Sequence, residues 1–182
     1  MTYTNLAGEG AGATNSYVAA LLALLGNQDP LAVLASTPRE LTATLKGEPA
    51  AALTRVEAPG TWSVSGVLQH LADSEGVNGH RIRLMLVEDS PPIASYDQDA
   101  WARTFHYHAA DAAAALRDFT AIRAANFRLW SSLDARAMAR AGMHAERGVE
   151  SVGQLIRLLA AHDLVHRRQI DRILLRARPD AS

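Results

Sequence analysis

The sequence contains no cysteine. Disulfides and thiolate metal sites are therefore excluded, and any metal must be held by His, Asp or Glu. It also lacks an excess of charge. The formal net charge is −1, so no bulk attraction to nucleic acid or to an anionic membrane is expected. No apolar run approaches the ~20 residues of a membrane span. The opening "MTYTNLAGEGAGATNS" has no basic segment followed by an apolar stretch, so it does not read as a secretory signal. The expected address is the cytoplasm. Strand-like alternation of any length and internal repeats are absent as well. What remains is a chain of 182 residues, 48% hydrophobic and 20% charged, which is long and apolar enough for one globular domain with a sizeable core.

Residues 1–14, rich in Gly, Ala and Thr, read as a flexible lead-in, and 15–182 as a single domain. "SYVAALLALLG" (16–26) is a short apolar helix closing at Gly26. In "STPREL", Thr37 reads as an N-cap and Pro38 as the first helical position, so the first helix is expected in pieces across 15–46. Ser63 can cap a second long helix reaching about Glu88, and Asp111 a third over 112–133. Between them "DSPPIASYDQDAW" (89–101) is a proline-bearing connection with one helical turn near Trp101. "RAGMHAERGVE" (140–150) reads as a loop, and Ser151 with Gln154 forms a capping box opening a fourth helix to about Ala177. The expected fold is all-α, a four-helix bundle with an interrupted first helix.

At 100° per residue, Val152, Leu155, Leu159, Val165, Ile170 and Ile173 form one apolar stripe on the fourth helix. His162, His166 and Gln169 fall in its middle and Asp163 toward one flank, while Arg157, Arg167, Arg168, Asp171 and Arg172 point elsewhere. The second helix places Glu75 and Asn78 inside the Leu71–Ile82 stripe, with His70 on its edge. Each unpaired buried polar group costs ~1–3 kcal/mol. A whole set of them on two core faces calls for a common cause, and a metal with hydrogen-bonded supports is the simplest. Two histidines four apart on one helix face can chelate an ion, as in H-E-x-x-H zinc sites. Here Asp163 follows His162, so the protease reading is disfavoured. His80, His106 and His108 read as surface or solvated residues, and Trp62 and Trp101 as packing anchors. His144 lies in a loop before the fourth helix, where it can hang over the bundle mouth as a pocket-lining residue.

"GTWSVSGVLQHLADSEGVNGHRIRLML", "YDQDAW" and "LLAAHDLVHRRQIDRIL" resemble the DinB-like superfamily, in its YfiT-related branch, over about residues 15–177. The resemblance implies a four-helix bundle, commonly dimeric, with a divalent metal on three histidines. By motif these are His70 in "LQHLADSE" and His162 and His166 in "HDLVH". It thereby supplies the third ligand, which the helical wheel leaves open. Glu75, Asn78, Asp163 and Gln169 become supports around the ligands. Three imidazoles leave a coordination position for water or substrate, suit Zn, Ni or Fe, and permit either hydrolysis or activation of a thiol. The expected function is therefore a metal-dependent hydrolase acting on a small molecule. A transferase using a low-molecular-weight thiol cosubstrate is the first alternative, and a non-catalytic metal-binding stress-response protein the second. The expected partners are a small-molecule substrate and a second copy of the chain, with no nucleic acid and no membrane.

Overall fold

The structure, a computed structural model, describes residues 11–177. In chain order it runs α1 (Ala11–Leu25), α2 (Pro30–Leu45), α3 (Ala50–Thr54), α4 (Val64–Val87), β1 (Pro92–Ile93), α5 (Gln98–Thr104), α6 (Ala112–Trp130), α7 (Ala135–Met138), β2 (Ala141–His144), β3 (Gly148–Ser151) and α8 (Val152–Ala177). Helices α4 and α2 each pack against both α6 and α8, which closes a ring of four; α1 lies along α8. Within the ring α2 is diagonal to α4, and α6 to α8. The expected all-α four-helix bundle is therefore present. No single helix among the described residues is long and apolar enough to cross a membrane.

Local chemistry explains where the long helices begin. Ser63 Oγ accepts from the Gly66 N–H at 3.2 Å, and Asp111 Oδ1 from the Ala114 N–H at 2.8 Å. Ser151 and Gln154 cap reciprocally, at 2.8 and 3.2 Å. Each such bond satisfies a backbone donor that a helix start leaves unpaired.

The first helix is interrupted at Gly26, as expected, but the further start expected at Thr37–Pro38 is not one. α1 and α2 meet at 80°, and α2 starts at Pro30 behind Asp29, whose side chain accepts from the Leu31 N–H at 3.0 Å. Thr37 is not an N-cap. It is buried inside α2, and its hydroxyl donates to the Val33 carbonyl at 2.9 Å. Pro38 lies within the helix and has no N–H to give the carbonyl four residues back, that of Leu34. Arg123 Nη1 supplies the missing donor at 3.0 Å, so a side chain from α6 lets the helix run on through its proline. The lead-in expected over 1–14 falls mostly outside the described residues, and α1 takes in 11–14. α6 ends at Trp130, short of the expected 133, with α7 following.

The loop expected at 140–150 is a β-hairpin. β2 pairs antiparallel with β3 and parallel with β1, in the register Ile93↔His144. Strands of four residues and two are too short for a period-two pattern to stand out. An added Cβ on Gly142 would lie 2.7 Å from the Ile93 side chain, so the β1–β2 approach depends on glycine there.

Two apolar clusters fill the bundle. One holds Leu34, Ile82, Met85, Trp130, Leu155 and Val165, and the other Leu41, Val67, Leu68, Phe119, Ile170 and Ile173. Glu75 and Asn78 of α4, Arg123 and Asn126 of α6, and His166 and Gln169 of α8 lie between them in sequence and form a layer across the bundle. Gly79 is part of that layer's packing, because an added Cβ would lie 2.7 Å from Asn126 Cγ. Gly79→Ala should therefore destabilise by about 1–3 kcal/mol despite alanine's better helix propensity. Urea denaturation checks this, and a stabilised variant would contradict it.

Candidate metal centre

The helical repeat puts His162 and His166 on one face of α8, and packing brings His70 of α4 against them. His70 is 1% exposed and His166 4%. His162 Nε2 lies 3.0 Å from His70 Nε2 and 3.1 Å from His166 Nε2. One imidazole nitrogen can donate one hydrogen bond or accept one, not both. His162 Nε2 therefore cannot satisfy both neighbours with a proton. Two nitrogens bound to one tetrahedral ion at about 2.0–2.1 Å would stand ~3.3 Å apart. The two spacings to His162 are close to that, as expected of lone pairs converging on a cation.

The tautomer of His166 agrees. Gln169 Oε1 lies 2.8 Å from His166 Nδ1, which donates to it and leaves Nε2 free to ligate. Burial, followed by the charges of His166 and His162, holds His70 well below the usual imidazole range. Burial and then Arg123 hold His162 down to about 4, and burial and then His162 hold His166 down to about 3. The rings are neutral at physiological pH, as ligation requires. The Trp62 ring packs 4.8 Å from that of His70.

Beneath the histidines is a buried ion network. Arg123 of α6 donates to Asp163 Oδ2 at 2.6 Å, Asp163 Oδ1 at 3.0 Å and Glu75 Oε2 at 2.9 Å. Asn126 Nδ2 donates to Glu75 Oε1 at 2.9 Å. Burial alone would lower the Arg123 pKa, but the charges and hydrogen bonds of Asp163 and then Glu75 outweigh it, and the net shift is upward. Arg123, Glu75 and Asp163 are 2%, 1% and 1% exposed.

The histidines open on a cavity of about 670 Å³, within the range of small-molecule sites. Trp62, Tyr96, Leu159 and Gln169 are among its walls, and the hairpin contributes His144.

A family model described as the DinB superfamily matches residues 34–170. This chain belongs to the DinB superfamily. Among curated relatives, "Putative metal-dependent hydrolase OB0782" of Oceanobacillus iheyensis is 32% identical over 107 residues, 59% of this chain and 62% of that protein. The match thus spans about three fifths of that relative's length. "Putative metal-dependent hydrolase BH0277" of Halalkalibacterium halodurans is 26% identical over 127 residues, 69% of this chain and 73% of that protein. A solved structure of YfiT from Bacillus subtilis, described as having "an unusual four-helix bundle topology", matches with a TM-score of 0.75 at 24% identity, covering 81% of this chain and 85% of that one. That likeness establishes the fold.

Within this DinB-superfamily bundle the structure brings His70, His162 and His166 together, all ligand atoms lying within 4.8 Å of one another. It places Gln169 against His166. Glu75 and Asn78 are buried and hydrogen-bonded, Asn78 Oδ1 accepting from Arg81 at 3.1 Å. The carboxylates of Glu75 and Asp163 direct their hydrogen bonds to Arg123 and Asn126, so they brace the layer under the histidines. His80, His106 and His108 are exposed, and Arg168 as well. Trp62 is an anchor on His70 and also a cavity wall.

Arg172 does not point away from the site. It lines the cavity and binds Glu57 through two bonds of 2.8 and 2.7 Å. The wheel gives direction about one helix axis, and the segment carrying Glu57 folds over that flank. Arg123 and Asn126 were missed. Their signal is present: they sit between Phe119 and Trp130 on the core stripe of α6, as Glu75 and Asn78 do on α4.

His144 is 2% exposed, and burial, followed by the charge of Arg147, holds its ring down to about 4. A folded pKa below the unfolded value of about 6.5 means stability is full above pH 6.5 and declines as pH falls toward 4. His144→Phe should lessen that decline, the part due to His70, His162 and His166 remaining. Urea denaturation of both proteins at pH 7.5 and 5.0 checks it, and parallel losses would contradict it.

Proposed function

We propose that His70, His162 and His166 hold one divalent transition metal, and that the protein is a metal-dependent hydrolase of a small molecule bound in the adjoining cavity. The observation that carries this reading is the convergence of three neutral Nε2 atoms, on the buried rings of His70 and His166 and the half-buried ring of His162, that no arrangement of protons can mutually satisfy. Imidazole ligation suits Zn, Ni or Fe. Three protein ligands leave a position open for substrate. A divalent ion there supplies Lewis acidity and a water of pKa about 7. The chain's own contribution is positional. Gln169 fixes the His166 tautomer, the Arg123 network holds α4, α6 and α8 in register, and the Trp62 wall excludes water from the His70 ring. The names of the curated relatives support the same reaction class.

The test is to load the purified protein with Zn, Ni or Fe, assay a panel of small esters and amides, and repeat with a low-molecular-weight thiol present. Hydrolysis without thiol, lost on chelation and restored by metal, is the expected result. Products carrying the thiol would replace hydrolysis by transfer. A chain that binds metal yet converts nothing in either arm would leave metal binding as its function.

A further inference from the structure

The cavity has a second polar pole, away from the histidines. Along α4 its lining runs from His70 through Ser74 and Asn78 to Arg81, ~16 Å of helix at 1.5 Å per residue. Arg81 is 7% exposed. Its guanidinium donates to Asn78 Oδ1 at 3.1 Å and to the Ala94 carbonyl, and it lies 5.6 Å from the centre of the Tyr96 ring. All these partners are neutral. Among the described residues Arg81 has no ion pair, which is unusual for a buried charge. Arg147 is nearby but held by Glu150 through two bonds of 2.7 Å, and Glu146 lines the cavity without pairing to Arg81. Burial, followed by the charge of Arg147, presses the Arg81 pKa below its ordinary value, and the more distant charges of Glu150 and Glu146 offset this only in part.

His144 is the second observation, and it is independent. Its Nδ1 accepts from the Glu146 N–H at 3.1 Å and the Arg147 N–H at 3.4 Å. The proton of the neutral ring is therefore on Nε2. That N–H is buried and has no partner, although buried donors are nearly always paired. A guanidinium with spare N–H groups and an unpaired imidazole N–H thus line one cavity, with Leu155, Leu158 and Leu159 as an apolar wall.

We infer that Arg81 and His144 form a carboxylate-binding subsite, and that the small molecule entering this cavity is an amphipathic carboxylate whose apolar portion lies along α8. One singly charged, planar head matches one guanidinium and one N–H donor. A phosphate dianion would leave a charge unmatched in a buried place. The inference rests on the hydrolase reading for what happens to the molecule, but not for its binding.

The test compares hexanoate with hexanamide by calorimetry, on the full chain with metal and after chelation. Hexanoate should bind at least tenfold more tightly in both forms. Arg81→Gln should bring the ratio to about one, and His144→Phe should lower it severalfold, with metal content unchanged in both. A ratio near one in the parent overturns the inference. So does a parent-like ratio in His144→Phe, which keeps the test decisive if Arg81→Gln fails to fold. A preference that vanishes on chelation yet survives Arg81→Gln places the carboxylate on the metal and also overturns it. Tighter binding of hexyl phosphate would overturn the choice of head group. If the chain takes up no metal, the hydrolase reading falls while the Arg81 preference is still measured.

Discussion

Replacing Arg123 with methionine is expected to cost about 3–5 kcal/mol of stability, the range for removing one partner of a buried ion network. The side chain accounts for three hydrogen bonds to two carboxylates and one to the Leu34 carbonyl that Pro38 leaves unpaired. Methionine fills much of the volume but leaves Glu75 and Asp163 unpaired in a buried layer. Single removal of Glu75 should be milder, and Glu75→Gln milder than Glu75→Leu, because an amide retains an acceptor for Asn126. The combined variant Arg123→Met, Glu75→Leu, Asp163→Leu should recover much of the loss, since no uncompensated charge remains. Urea denaturation at neutral pH measures all four. A loss under about 1 kcal/mol in Arg123→Met would show that the network does not hold the bundle together.

His166→Ala is expected to abolish metal retention. It removes one of three converging nitrogens, and the two left, His70 and His162, are a bidentate pair from different helices. Gln169→Leu should bind metal about 10–100-fold more weakly while folding normally, because it removes only the hydrogen bond that sets the His166 tautomer. His80→Ala, at an exposed position, should match the parent. Elemental analysis after dialysis, with competition against a chelator for the affinities, reads all three. Full occupancy in His166→Ala would remove the proposed centre. Equal affinity in Gln169→Leu would show that the His166 ring is held by packing alone.

The sequence by itself determined the features that one helix turn can encode. Ser63, Asp111 and the Ser151–Gln154 pair mark starts because a cap needs only a side chain within three residues of the donor it satisfies. The inward direction of His162, His166 and Gln169 follows from the 3.6-residue repeat among leucines and isoleucines, and the burial of Glu75 and Asn78 from the same rule. Tertiary structure decided what depends on a partner far along the chain. His70 sat on a stripe edge until α8 packed beside it. Glu75 and Asp163 looked like supports for imidazoles, yet their partner is Arg123 from a third helix, brought between them by the register of α4, α6 and α8. Pro38 looked like a helix start and is an interior residue because that same arginine caps the carbonyl it orphans. The hairpin carrying His144 gains its third strand from β1, a distant segment that the packed bundle brings alongside it. Periodicity and capping act over one turn, whereas the choice of hydrogen-bond partner for a buried charge is made by whichever helix the fold sets against it.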